Sequence, residues 1–263
     1  MHLKNQYDNY LPLLKKSFEE NNLDPSLMAA GIALTIRDLS QSVNSFGGHY
    51  PVGASVSHNL DEYQHMLEIV LNRNCGWAVA QGYEAFETFL KDIIAIYVQN
   101  NIATISPEIL KTLTPSKKKN QELLSLGYSQ IDYEYWRAGV ASARWNNNDI
   151  LIQIKNKLSP RLKNVELNNQ PSIDLVEWFD IVSEVRHAVT HSNGIIKPER
   201  QKPSWNQKTL NVYFHGNVIS DGFELKLSAK NIERNLQQFA EYAYVIYKCL
   251  SDEQNYTGNV LKI

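Results

Sequence analysis

Residues 172–194 read SIDLVEWFDIVSEVRHAVTHSNG. An α-helix advances about 100° per residue. At that pitch Trp178, Ile181, Val182, Val185, Ala188 and Val189 gather on one broad face. Asp180, Glu184, His187 and His191 fall on the opposite side at spacings of four, three and four, and Arg186 projects from a flank between the two. The pattern predicts a helix over 173–193 that buries one face and displays an acidic, histidine-bearing ridge on the other. Ser172 suits the N-cap, Asp174 lies favourably in the first turn, and Gly194 suits the C′ position because glycine adopts the left-handed conformation freely.

Working outward, the pattern stays mainly helical. Apolar residues recur at helical spacing over 59–100, with a kink or break expected at 72–76. Pro107 and Pro115 punctuate the next stretch, and Lys117-Lys118-Lys119 reads as a solvated loop or helix start. Residues 132–145 are aromatic-rich, and 146–149 are suited to cap a helix over 150–157. Ser159-Pro160 and residues 168–171 close that section. Residues 210–214 and 223–227 predict a small hairpin turning at His215-Gly216-Asn217. Ile232, Leu236, Phe239, Tyr242, Ala243 and Ile246 mark a final helix over 231–250. Towards the N-terminus, helices are expected over 11–20 and, opened by Asp24-Pro25-Ser26, over 25–44. A loop over 47–58 joins them to the rest. The expected organisation is a helical extension, 1–58, and a helical domain, 59–263, of a mainly all-α class.

The 263 residues, 43% hydrophobic and 21% charged, are those of a soluble globular protein able to bury a substantial core. A net charge of -2 excludes a global positive field that would draw the chain onto nucleic acid, so any RNA contact must be local. The two cysteines, Cys75 and Cys249, form no framework, which fits a reducing cytoplasm. The first nine residues lack the apolar stretch of a signal peptide, and the most apolar run, 93–98, is too short to span a bilayer.

The helix end carries the chemistry. The exposed carbonyls of a last turn favour a cation at His191 by about 0.3–1 kcal/mol. Asp180 and Glu184 push the same way at His187, so raised histidine pKa values are expected. Such a histidine serves as general acid or base, and Arg186 offers a planar fork to phosphate oxygens. Glu184, His187 and His191 also have chelating spacing, but no cysteine or fourth ligand accompanies them, and no metal or other cofactor is expected.

The sequence Arg186-His187-Ala188-Val189-Thr190-His191, followed by Ser192-Asn193-Gly194, resembles the signature of the HEPN superfamily (higher eukaryotes and prokaryotes nucleotide-binding). That signature is an arginine, a polar residue, then a histidine near the end of a late helix. The aromatic-Glu-aromatic run Tyr83-Glu84-Ala85-Phe86-Glu87-Thr88-Phe89 is similar to the family's early helix, and the closing hairpin and helix suit its larger bacterial members. The resemblance covers residues 59–250. It implies an antiparallel helical bundle and metal-independent cleavage of RNA, in which the ribose 2′-OH attacks the adjacent phosphate. Carried over, His191 moves the proton, Arg186 stabilises the phosphorane charge, and His187 orients the substrate or partner. Glu184, Asn193 and Glu84 would support the site. The resemblance also implies a homodimer whose two motifs face one cleft, an antitoxin or regulatory partner, and a place in toxin or phage-defence systems. Many members are inactive, so the alternative is a non-catalytic nucleotide- or protein-binding scaffold.

Several residues are expected to be structural. One of Glu84 and Glu87 should be exposed and the other should pair with a cation such as Arg186. His49, His58, His65 and His215 read as surface or loop residues, and the tryptophans as core rather than base-stacking platforms.

Overall fold

The computed structural model describes residues 60–143, 147–169, 172–203, 205 and 207–253. The expected helices over 11–20 and 25–44 and the loop over 47–58 lie outside the described residues, as do His49 and His58. The fold is mainly α-helical with one small sheet. Its helices are α1 (Leu60–Asn101), α2 (Pro107–Leu113), α3 (Lys117–Ser125), α4 (Tyr133–Ser142), α5 (Asn147–Gln153), α6 (Pro160–Glu166), α7 (Leu175–His191), α8 (Gln207–Tyr213) and α9 (Ala229–Glu253). The strands are β1 (Ile195–Ile196), β2 (Gly216–Ile219) and β3 (Gly222–Leu225). A π-helical turn, Ile154–Leu158, continues α5, and a 3-10 turn, Pro198–Arg200, follows β1. Among the described residues, no helix is long and apolar enough to cross a membrane.

The long helix α1 is the spine, with α4, α7 and α9 packed around it. The face of α7 marked by apolar spacing is core: Trp178, Ile181, Val182, Val185 and Ala188 are buried and Val189 packs at its edge. Tyr83 of α1 stacks on Phe179 of α7 with ring centroids 5.1 Å apart, and Gly76 meets Val189, so α7 runs antiparallel to α1. A Cβ on Gly76 would lie 2.6 Å from Val189, so the absence of a side chain there sets how closely the helices approach. Phe86 continues the cluster onto Phe239 and Tyr242 of α9. Trp178 donates its indole N–H to buried Asn235, whose amide in turn donates to the carbonyls of Tyr213 and Asn231. A buried amide with its bonds satisfied ties α7, α8 and α9 together.

Five local expectations differ. No break occurs at 72–76: α1 runs through, because Asn72 spends its side chain on the sheet, donating to the Leu225 carbonyl and accepting from the Leu227 N–H. Ser159-Pro160 opens a helix rather than closing a section, with proline in the first turn of α6 where it forfeits no bond. The helix expected over 150–157 begins at Asn147. Ser172 is not the N-cap of α7. It has a positive φ of 53°, and Asp174 caps instead, its carboxylate accepting from the Val176 and Glu177 N–H groups at 2.8 and 3.1 Å. Residues 210–214 fall in and just after the helix α8, not in a strand. Buried Leu210, Tyr213 and Phe214 satisfy a helical i, i+3, i+4 spacing as well as an alternating one, and five residues are too few to separate the two.

The hairpin therefore lies later than expected, between β2 and β3, with its turn at Ser220-Asp221. β1 adds a third strand, pairing antiparallel with β3 through Ile195↔Glu224 and Ile196↔Phe223. The expected left-handed stop is shared by two residues: Asn193 has φ 50° and Gly194 φ 80°. The Gly194 N–H reaches back to the Ala188 carbonyl at 3.0 Å, and its own carbonyl accepts from Leu225. The end of α7 is thus fastened directly to the sheet.

Candidate functional site

The ridge of α7 is roofed rather than open. After β1 the chain turns at Pro198–Arg200 and runs back along α7 as a strap. Gln201 donates to the Ile196 carbonyl and steadies the turn. Arg200 grips Glu184 with two parallel bonds, Nε to Oε2 and Nη2 to Oε1, the latter at 3.0 Å. Lys202 and the Trp205 indole N–H both reach Asp180, at 2.7 and 2.9 Å. The expected acidic stripe is therefore matched, charge for charge, by cations from the strap. His187 lies half-buried between strap and α1, while His191 in the last turn stays exposed. The two rings sit 4.9 Å apart, centroid to centroid.

On the other flank Arg186 donates to Glu84 of α1 through Nε and Nη2, at 3.3 and 2.8 Å. Glu84 is thus the acid that meets Arg186, while Glu87 pairs with Lys91 at 2.7 Å. Between strap and α1 lies a cleft of about 300 Å³ lined by Tyr83, Glu87, Ser183, Arg186, His187 and Arg200. Burial, the main cause, pushes the Tyr83 hydroxyl well up, so it stays a protonated group.

The expectation of a raised histidine pKa fails at His187. Its value is lowered, first by partial burial, then by the positive charge of Arg200 and by His191; Glu184 opposes this and Arg186 adds to it. The negative charge of Glu184 favours the protonated ring, but that charge is engaged by Arg200 and is outweighed. His187 is therefore neutral near pH 7, an acceptor rather than a cation.

Of the expected site residues, Arg186, His187, Glu184 and Glu84 come together around the cleft, with His191 beside His187. Asn193 does not join them. It lines a separate cleft of about 230 Å³ with Asn72, Arg73, Trp77, Val189 and Gly194 among its walls. Trp77 in that cleft is 47% exposed, contrary to its expected place in the core, whereas Trp136 and Trp178 are buried. Arg200 went unrecognised in the sequence, as did Tyr83 and Ser183 as cleft walls. The available signal was the charge order: Arg200 and Lys202 mirror Glu184 and Asp180, as an antiparallel strap would place them.

Among the described residues no group of three His, Cys, Asp or Glu side chains is placed to hold a metal ion. Cys75 and Cys249 are unpaired and buried, and burial pushes each thiol up to about 11, so neither is a thiolate nucleophile near neutral pH. Comparison with models of protein families, with curated proteins and with solved structures found no match.

Proposed function

We propose that the chain is a HEPN-type, metal-independent endoribonuclease whose site is the end of α7. The supporting observation is the cleft that gathers Arg186, His187 and Arg200 on one side of α7, with His191 a ring's breadth from His187. The ribose 2′-oxygen forms a bond to phosphorus as the bond to the 5′-oxygen breaks. His191 takes the 2′-OH proton and returns a proton to the leaving 5′-oxygen. Neutral His187 accepts a hydrogen bond from the sugar and orients it. Arg186 stabilises the charge that develops on the phosphorane oxygens. The products are a 2′,3′-cyclic phosphate and a 5′-OH. A second copy facing the first, a regulatory or antitoxin partner, and a cytoplasmic role in toxin or phage-defence systems belong to the same reading.

The test is digestion of mixed RNA in EDTA by wild type, Arg186→Ala and His191→Ala. Wild type should release fragments ending in cyclic phosphate, and neither variant should. Intact RNA with wild type, or equal cutting by both variants, defeats the proposal.

A second reading is a non-catalytic scaffold of the same fold. It is favoured by the carboxylates of Glu84 and Glu184, which already occupy Arg186 and Arg200. The structure of an assembly separates the two readings. Motifs buried together in a basic cleft support the nuclease, and motifs far apart on separate surfaces support the scaffold.

A further inference from the structure

We propose that Arg200 is a second phosphate-binding residue, so that a single chain holds one phosphodiester group between two arginines. The proposal rests on the reading of the cleft as a phosphodiester site and adds to it a residue supplied from outside the helix. Arg186 and Arg200 line the same cleft, one from α7 and one from the strap. Each is held by its Nε and Nη2 edge, Arg186 against Glu84 and Arg200 against Glu184. The Nη1 amino group of each takes no part in these bonds. A guanidinium fixed along one edge keeps further N–H donors for an oxyanion and has little rotational freedom left to lose on binding.

The two carboxylates therefore position the arginines. The acid that lines the cleft, Glu87, is matched by Lys91 at 2.7 Å. Ser183 and Tyr83 complete the wall, and the Tyr83 hydroxyl is buried, which keeps it protonated. The cleft of about 300 Å³ is at the lower end of small-ligand sites, the size of one phosphate with its flanking sugar rather than of a duplex. An ion pair that merely pinned the strap to α7 would not require Arg200 to share a cleft with Arg186 and His187. Lysine at 200 keeps the charge opposite Glu184 but lacks the fork that matches two phosphate oxygens.

The experiment measures binding of an RNA carrying a 2′-deoxy sugar at the cleaved step, and of inorganic phosphate followed through the His187 ring resonances. Arg200→Ala should weaken the RNA analogue about 10- to 100-fold and lower the salt slope of binding by about one, and Arg200→Lys should fall in between. Melting curves of both variants establish that they fold. Should Arg200→Ala fail to fold, Arg200→Lys decides: unchanged affinity and salt slope overturn the proposal. A folded Arg200→Ala that binds as wild type does also overturns it, even where wild type cuts RNA and the nuclease reading survives. If wild type neither binds nor cuts RNA, yet phosphate shifts His187 in wild type and not in Arg200→Ala, the anion site stands and the nuclease reading falls. Silence from both probes removes both.

Discussion

The two sides of α7 are held by opposite means. Its inner side buries Trp178, Phe179, Ile181, Val182 and Val185 against α1 and α9, with a single polar network through Asn235. Its outer side carries no such core. There Asp180 and Glu184 meet Lys202, Trp205 and Arg200 on a strap whose cations are 39–51% exposed. Buried apolar area stabilises a fold strongly, whereas each exposed ion pair contributes about 0–1 kcal/mol. The inner side therefore holds the helix in place, and the outer side arranges charges around a cleft at small cost to stability. Substitutions on the outer side should therefore leave the fold standing.

The sharpest way to break this contrast is one substitution on each side. On the proposed nuclease reading, His191→Ala should lower RNA cleavage about 10²- to 10⁴-fold, with unfolding free energy within about 0.5 kcal/mol of wild type. Trp178→Ala should cost about 3–5 kcal/mol in denaturant titration, from lost burial and an Asn235 acceptor left without its donor. Equal losses of stability from both would show that the two sides are not separable. At the start of α7, Asp174→Ala should cost about 1 kcal/mol by the loss of a cap, while Ser172→Ala should cost almost nothing. The reverse order would return the cap to Ser172. Lys202→Ala should cost about 0.2–1 kcal/mol and leave cleavage nearly intact, a result read from paired melts and rate assays.

The smallest expected effect is electrostatic. His187 faces Arg186, Arg200, His191 and Glu184, and its pKa lies below the ordinary histidine value. Protonation of His187 is thus disfavoured in the fold, so its neutral form persists to lower pH than that of an ordinary histidine. Removing Arg200 takes away a positive charge and raises the pKa. Proton titration of the His187 ring by NMR should show an upward move in Arg200→Ala. A downward move would place Arg200 too far away to act on it.

Much of α7 is legible in the residue order alone. The face marked by Trp178, Ile181, Val182, Val185 and Ala188 is the face that is buried, because helical periodicity depends only on neighbours within two turns. The same logic located α1 and α9. The acid–aromatic run offered Glu84 or Glu87 as a partner for a cation such as Arg186, and only the fold assigned Glu84 to Arg186 and Glu87 to Lys91. Short elements were less legible. Five residues at 210–214 satisfy two periods, and a two-residue strand such as β1 has no pattern at all. The cap moved from Ser172 to Asp174 because Asn169 closes the preceding loop on Ile173, accepting from its N–H and donating to its carbonyl.

Spacing along one chain was enough to establish a helical class, the inner face of α7, and an arginine with two histidines at one helix end. It left Arg186 as one arginine beside two acids, with a second chain needed to supply another. Folding alters that arrangement. The strap brings Arg200 onto Glu184 and Lys202 onto Asp180 across 16 and 22 residues, neutralising both acids. The pKa of His187 is lowered rather than raised, first by burial and then by the charge of Arg200. Periodicity records which way a side chain points from its own helix. Which charge it meets depends on where a distant loop returns, and that is settled by the sheet pairing of β1 with β3 and by the Asn193-Gly194 stop that feeds it.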